Sequence, residues 1–246
     1  MKSIRTIERY LQPFGIESTI FETAPERGNL LAVIPGTGDG PGLMFGPSHV
    51  DVVPVEDESK WSVDPFGGVV KDDSVWGRGA IDMLSIVVCQ TVVFAHLFKE
   101  GFKPKGDLKL LIVSDEEAGG TFGIKWMIEN HPELIRTEYS VTEPAIYPIS
   151  ENKYAFMHGE KGASWLKITV RGEEGHGSAP FMSKNAVQIM SEVVDRLVQY
   201  QPPIETEYVL RLAKGMGINR ILRWLLARKS LLPRLLKMIA KQDLAQ

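Results

Sequence analysis

Three apolar segments of the sequence each end in acidic or histidine side chains, and this feature limits most strongly what the chain can fold into. The segment "LMFGPSHVDVV" carries His49 and Asp51, "DLKLLIVSDEE" ends in Glu116 and Glu117, and "EYSVTEP" contains Glu143. Because side chains alternate along a strand, His49 and Asp51 lie on the same face. Burying both costs free energy unless each is paired or bound. Taken alone, the pair is explained most simply by a hydrogen bond between them.

Strand patterns alternate with helix patterns along much of the chain. Helices are predicted over residues 3–14 and about 83–100, with strands and the turn "GTGDGPG" between them. A phosphate-binding loop would need a helix after this glycine cluster, whereas a strand follows it. The alternation predicts an α/β fold with a mostly parallel sheet and flanking helices. In such sheets, functional groups gather at the carboxyl ends of the strands.

The pattern changes near Gly159, where we predict a domain boundary. "ASWLKITVRGEEG" alternates like an exposed antiparallel strand, and "NAVQIMSEVVDRLVQY" is an amphipathic helix pattern. Residues 1–160 are therefore predicted to form one domain and residues 161–246 a smaller α+β domain. The basic, leucine-rich segment 218–246 is interpreted as helices covering a domain face, with a membrane-surface helix as the alternative.

Composition argues against several classes of protein. Of the 246 residues, 43% are hydrophobic and 24% charged, and the formal net charge is −3. These values are typical of a globular protein and do not indicate nucleic acid as a partner. The sequence suggests no membrane span of about 20 apolar residues, so we expect a cytoplasmic protein without a membrane partner. The single cysteine, Cys89, excludes an internal disulfide and is predicted to be a buried, unreactive thiol.

The acids and the histidine at the strand ends define a candidate metal site. Carboxylates that converge on one edge of a sheet repel one another without a cation. Nitrogen and oxygen ligands without thiolates suit zinc, manganese or cobalt, and two such ions can share a bridging carboxylate. Taken singly, Asp82 is equally compatible with a helix N-cap and Glu143 with a surface acid. The whole set comprises His49, Asp51, Asp82, Glu116, Glu117 and Glu143.

Six blocks of the sequence, in their order and spacing, point to a known family. They are "SHVDVVP", "WSVDPFGG", "WGRGAIDM", "SDEEAGG", "VTEP" and "EKGASWLKITVRGEEGHGSAP". Together they resemble the aminoacylase, acetylornithine deacetylase and succinyl-diaminopimelate desuccinylase family of di-zinc metallopeptidases. The variant "DMLS" resembles a dipeptidase-like subgroup. The resemblance implies a zinc-peptidase-like catalytic domain and a lid/dimerisation domain, and a hydrolase acting on an amide bond of a dipeptide or N-acyl amino acid.

The same resemblance implies a set of metal ligands. His49 and Glu143 would ligate a first zinc ion, Asp82 would bridge two ions, and Glu117 would ligate the second. A complete site would hold two zinc ions, with cobalt or manganese as possible substitutes. The peptide bond that follows Asp82 is expected to be cis.

The resemblance also implies the catalytic roles. Asp51 would orient the ring of His49. Glu116 would be the general base that takes a proton from a metal-activated water and delivers it to the leaving amine. His176 of the second domain would reach across a homodimer interface and stabilise the oxyanion in the partner's active site.

The chain departs from this family at its C-terminal end. Family members are longer, and their catalytic domain resumes after the smaller domain to supply a last histidine for the second metal. In this sequence no histidine follows His176, so we expect a truncated chain. The alternative to a hydrolase is a catalytically inactive relic, or a binding protein that holds one structural metal.

Overall fold

Two compact units make up the described part of the chain. The computed structural model describes residues 1–143, 146–156, 162, 164–179, 182–200, 206–228 and 230–232. The first unit comprises Met1–Tyr147 and the second Pro148–Gln246. The predicted division into domains at residue 160 stays a prediction.

The first unit is built on a mixed five-stranded sheet. The strands of the whole unit, in chain order, are β1 (Ser18–Ala24), β2 (Arg27–Ile34), β3 (Leu43–His49), β4 (Val69–Lys71), β5 (Ser74–Trp76), β6 (Leu108–Val113) and β7 (Tyr139–Val141). The sheet order is β1-β2-β6-β3-β7, and β4 pairs separately with β5. β3 runs parallel to β6 and β7, whereas β2 runs antiparallel to β1 and β6. The predicted α/β class is confirmed, and the parallel pairings are confined to the half of the sheet that carries His49.

Helices cover both faces of this sheet. They are α1 (Lys2–Leu11), α2 (Ser85–Lys99), α3 (Ile124–Asn130) and α4 (Pro132–Ile135). β6 is buried along its whole length, and its side chains alternate between two cores. Leu110 packs with Phe94 of α2 on one face, and Leu111 packs with Met127 of α3 on the other. The order of the layers is therefore helix, sheet, helix, as the sequence pattern predicts.

Short turns connect these elements and carry part of the site. They lie at Gln12–Phe14, Glu58–Lys60, Ala80–Leu84 and Glu116–Ala118. The turn Ala80–Leu84 leads directly into α2, and the Asp82–Met83 peptide is cis, as the resemblance implied. The turn Glu116–Ala118 follows the carboxyl end of β6.

Helix α2 differs from two expectations. Cys89 is exposed, so the prediction of a buried thiol is wrong. The reason is helical phase, because Val87 faces the core and Cys89 lies two residues, or about 200°, further round the helix. The stretch Ala80–Lys99 is also long and apolar enough to pass a composition test for a membrane span, which core helices of soluble proteins pass too. Here one face of α2 packs on the sheet.

Among its described residues, the second unit contains fewer regular elements. These are β8 (Ile146–Ser150, which begins in the first unit), β9 (Lys153–Phe156), α5 (Ala186–Gln199), α6 (Thr206–Gly215) and α7 (Arg220–Leu226). β8 pairs with β9, and α7 packs Leu226 beside Ala213 of α6. The predicted helix α5 is confirmed. Of the predicted helical segment 218–246, the part beyond residue 232 lies outside the described residues.

The strand predicted within "ASWLKITVRGEEG" does not form over residues 164–175. Trp165 is 95% exposed, and none of the sheets among the described residues includes this segment. A strand is stable only when another strand satisfies its backbone hydrogen bonds. The alternating pattern therefore indicated a strand that lacks a partner in this part of the chain.

Candidate metal centre

His49 stands at the carboxyl end of β3 and is the buried centre of the site. Its side chain is 2% exposed, and β3 pairs His49 with Val113 at the end of β6. The backbone N–H of His49 donates to the sulfur of Met83 at 3.1 Å, which joins the strand end to the turn before α2. The two parallel strands therefore bring the histidine and the "DEE" turn to one edge, as the sequence predicts.

The two nitrogens of the His49 ring have different surroundings. Nδ1 lies 3.0 Å from the carbonyl oxygen of Asp51 and 3.4 Å from its carboxylate. Since a carbonyl oxygen only accepts hydrogen bonds, Nδ1 carries the proton. In the neutral ring, Nε2 then keeps its lone pair, which is the form that binds metals.

Three carboxylates face Nε2 of His49. Oδ1 of Asp82 lies 3.3 Å from it, Oε1 of Glu143 3.2 Å and Oε2 of Glu116 3.8 Å. Two groups of side chains each bring their ligand atoms within 4.8 Å of one another, and both include His49. The groups are His49 with Asp82 and Glu117, and His49 with Glu116 and Glu143. All four predicted ligands and the predicted base thus belong to one cluster.

Asp51 makes two hydrogen bonds in this cluster in addition to its predicted contact with His49. Its Oδ1 accepts a hydrogen bond from the backbone N–H of Glu116, and its Oδ2 accepts one from Glu117, both at 3.1 Å. One carboxylate therefore holds the ring of His49 and the start of the turn that presents both glutamates. The sequence pattern did not indicate this second contact, because 65 residues separate its partners.

A second polar network supports the glutamate turn, and sequence reasoning missed it. Asn29, fully buried on β2, accepts from the N–H of Ser114 and donates to the carbonyl oxygen of Phe122. Asp115 has a left-handed backbone conformation, and its carboxylate accepts from the N–H of Phe122. A Cβ on Gly123 would collide with the carbonyl oxygen of Ser114, so glycine allows this close return of the loop. The only sequence signal was a polar amide in the apolar strand "RGNLLAVI".

Two further polar residues behind the metal centre were missed as well. Ser48 and Gln90 are both buried and hydrogen-bonded to each other. Gln90 lies in the apolar helix segment "SIVVCQTVVFAHLF", where an amide was the available signal.

The site concentrates negative charge around one ring. Burial opposes protonation of His49, but hydrogen bonds to Asp51 and the charge of Glu143 outweigh it and raise the pKa of His49 to about 9. Burial, followed by the charge of Asp82, raises the pKa values of Glu117 and Glu143. Burial alone would raise the pKa of Asp51, whereas hydrogen bonds from His49 and Glu116 lower it. The surrounding charge therefore favours a cation beside Nε2.

The residues present fit a divalent metal ion. One oriented imidazole and several carboxylates are the donors that zinc, cobalt and manganese accept. After burial, the charge of Asp82 contributes to the raised pKa values of Glu117 and Glu143, and a cation would relieve this repulsion.

His176 is described within the second unit, on its own. It is exposed, and its Nδ1 accepts from the backbone N–H of Ser178 and lies 2.7 Å from the hydroxyl of that residue. These contacts belong to a local turn, and the proposed role of His176 stays a prediction.

Residues 47–211 match the peptidase family M20/M25/M40. The match covers more than half of the chain and includes every predicted site residue. The chain belongs to this family. The family expected from the six sequence blocks is thereby confirmed, and it is a family of metallohydrolases.

Individual proteins similar to the chain include two relatives and one solved structure. The chain is 32% identical over 139 residues to an uncharacterized metallohydrolase of Methanocaldococcus jannaschii, covering 56% of this chain and 34% of the relative. It is 33% identical over 202 residues to the succinyl-diaminopimelate desuccinylase of Parvibaculum lavamentivorans, covering 79% and 49%. A tripeptidase structure from Staphylococcus aureus aligns with a TM-score of 0.49 at 20% identity, covering 78% and 49%. The chain spans half or less of the length of these relatives.

Proposed function

We propose that this chain forms the metal-binding part of an amidohydrolase that cleaves an amide bond in a dipeptide or an N-acyl amino acid. One observation carries the proposal: three carboxylate oxygens lie 3.2 to 3.8 Å from Nε2 of a ring that Asp51 orients. The proposed ligands are His49, Asp82, Glu117 and Glu143.

The chemistry divides between the ion and Glu116. When bound, the ion lowers the pKa of a water molecule and polarises the scissile carbonyl. The side chain of Glu116 is 55% exposed at the rim of the cluster, while its backbone N–H is held by Asp51. We propose that this carboxylate takes a proton from the attacking water and delivers it to the leaving amine, the role of a general base and then a general acid.

The substrate class is a small amide. The 33% identity to a succinyl-diaminopimelate desuccinylase, in an alignment that covers 79% of the chain, supports an N-acyl amino acid. The "DMLS" variant supports a dipeptide instead. We include both in the proposal because either presents one amide carbonyl and one amine leaving group.

A hydrolysis screen tests this proposal. The full chain, loaded in turn with Zn²⁺, Co²⁺ and Mn²⁺, is incubated with dipeptides and with N-acetyl and N-succinyl amino acids. We expect metal-dependent release of free amine from at least one of these substrates, abolished by a chelator. A metal-loaded chain that releases none would contradict the hydrolase.

A second candidate function is a protein that holds one structural metal without catalysis. Both groups of candidate ligands contain His49, which is the one imidazole among the described ligands. A single ion bound to His49 would therefore use the shared ligand of both groups. This candidate predicts one retained ion, whose removal unfolds the chain, and no turnover of any substrate in the screen.

The remaining expectations belong to the same proposal. We propose zinc as the physiological ion, a cytoplasmic location, and a homodimer formed through the second domain, with His176 acting in the partner's site. Exposed apolar side chains on α5, including Val187 and Leu197, support an interface there. Light scattering of the purified chain tests the dimer, and a concentration-independent monomer would contradict it.

A further inference from the structure

Gln90 is a buried amide in the middle of an apolar helix, and both ends of its side chain are used. It is 8% exposed, and Ser48 beside it is fully buried. Nε2 of Gln90 donates to the carbonyl oxygen of Val141 at 2.9 Å, and Oε1 accepts from the hydroxyl of Ser48 at 2.6 Å. Since the Val141 carbonyl only accepts, the amide has one orientation that satisfies both neighbours.

These two hydrogen bonds join the three segments that carry the candidate ligands. Ser48 precedes His49 on β3, and Val141 ends β7 two residues before Glu143. Gln90 itself lies on α2, which follows directly on the turn that holds Asp82. One side chain therefore connects the supports of His49, Glu143 and Asp82.

The backbone does not make this connection. The pairing of β3 with β7 runs from Leu43 and Tyr139 to Phe45 and Val141, and stops four residues before His49. Beyond that point the strand ends are held by side chains. Gln90 spans them from α2, and Thr142 donates to the carbonyl oxygen of Pro47 at 2.7 Å.

We propose that Gln90 is a positioning residue, which sets the separation of His49 and Glu143 and so determines how well the cluster binds a metal ion. This inference rests on the proposed function, because it assigns a role toward the same ion. Gln90 is not one of the candidate ligands, and its side chain acts through Ser48 and Val141.

The test compares Gln90→Met with Thr91→Val in the full chain. Methionine matches glutamine in length, cannot donate to Val141 and offers Ser48 only a weak sulfur acceptor. Thr91 is also buried on α2, but its hydroxyl donates to Val87 within the helix, so Thr91→Val removes a hydrogen bond that links no ligand segment. The contact of Thr142 with Pro47 should keep the strand ends joined in both variants.

The probe is Co²⁺, titrated against a competing chelator and followed by its visible absorption. We expect Gln90→Met to weaken Co²⁺ binding by about 10-fold and to alter the absorption bands, the lower end of the effect of losing a direct contact to a metal ligand, because Gln90 contacts the neighbours of the ligands. Thr91→Val should change the affinity by less than about threefold. If both variants melt at similar temperatures, the difference in affinity is not a difference in stability. Wild-type affinity and spectrum in a folded Gln90→Met would overturn the inference.

Two further measurements keep the outcome decisive. If Gln90→Met does not fold, Gln90→Leu takes its place, since its apolar side chain neither donates to Val141 nor accepts from Ser48. If the wild-type chain bound no Co²⁺, the proposed function would fail. Amide hydrogen exchange would then test positioning on its own: selective loss of protection at residues 48–50 and 141–143 in Gln90→Met supports it, and uniform exchange overturns it.

Discussion

The two units of this chain differ in how their polar and apolar side chains are arranged. In the first, a fully buried strand supports a cluster of charged groups whose contacts are almost all with distant parts of the chain. In the second, the buried apolar side chains among the described residues are Ala213, Leu226 and Leu232, while α5 exposes a row of valines. The first unit is therefore organised around the candidate site, whereas α5 of the second unit exposes an apolar surface.

The largest expected effect is on chemistry and is confined to the first unit. Glu116→Gln keeps the shape of the side chain but removes its ability to take a proton. We expect hydrolysis to fall by about 10²- to 10⁴-fold with the bound metal unchanged. Steady-state kinetics and elemental analysis measure the two quantities. The exposed Glu129→Gln on α3 is the control, and equal losses in both variants would remove Glu116 from the proposed role.

The next largest expected effect is on the free energy of unfolding, which truncation of an apolar side chain should lower in the first unit and not in the second. Leu110 is fully buried on β6, so Leu110→Ala is expected to lower the free energy of unfolding by about 2–5 kcal/mol. Ile221 is 75% exposed on α7, and Ile221→Ala should stay within about 0.5 kcal/mol. Denaturant melts give both values. A large loss in Ile221→Ala would show that α7 is covered in solution and would contradict this difference between the units.

Asp51 is expected to couple the two halves of the metal centre. Asp51→Asn places an N–H against the backbone N–H of Glu116 or Glu117, and we expect metal affinity to fall by about 10- to 100-fold. The matched control is Asp57→Asn, because Asp57 is an exposed capping residue whose partners, Ser59 and Lys60, lie outside the candidate site. Competition with a chelator measures both affinities. An unchanged affinity in Asp51→Asn would contradict the role of its carboxylate in holding His49 and the glutamate turn.

The last expected effect is a pH dependence of the metal-free chain. The pKa of His49 rises from its ordinary 6.5 to about 9 on folding, so its contribution to stability is complete below pH 6.5 and is lost as the pH rises through about 9. Deprotonation also frees Nε2, so metal affinity should rise over the same interval. Thermal melts with and without chelator at pH 6 and pH 9 test both changes: the metal-free chain should lose stability as the pH rises, and stabilisation by metal should increase. His49→Asn should flatten the metal-free dependence, and an unchanged profile would assign it to other groups.

The parts of this account that the sequence could predict are those decided by local pattern. The apolar strands that end in acids located His49, Glu116 and Glu143, and the amphipathic pattern of α5 predicted that helix without any other information. The supporting contacts could not be read this way, since Asn29 and Gln90 meet partners 42 to 93 residues away. The same limit explains the unformed strand after residue 164, because alternation describes a face and not the strand that pairs with it.

The measurement that tests the central claim most directly is zinc per chain, by elemental analysis of the purified protein. The account predicts at least one ion per chain in the wild type, a lower content in Glu117→Ala, and none in His49→Asn. Zinc absent from the folded wild type, or unchanged by both substitutions, would contradict a metal centre at this edge of the sheet.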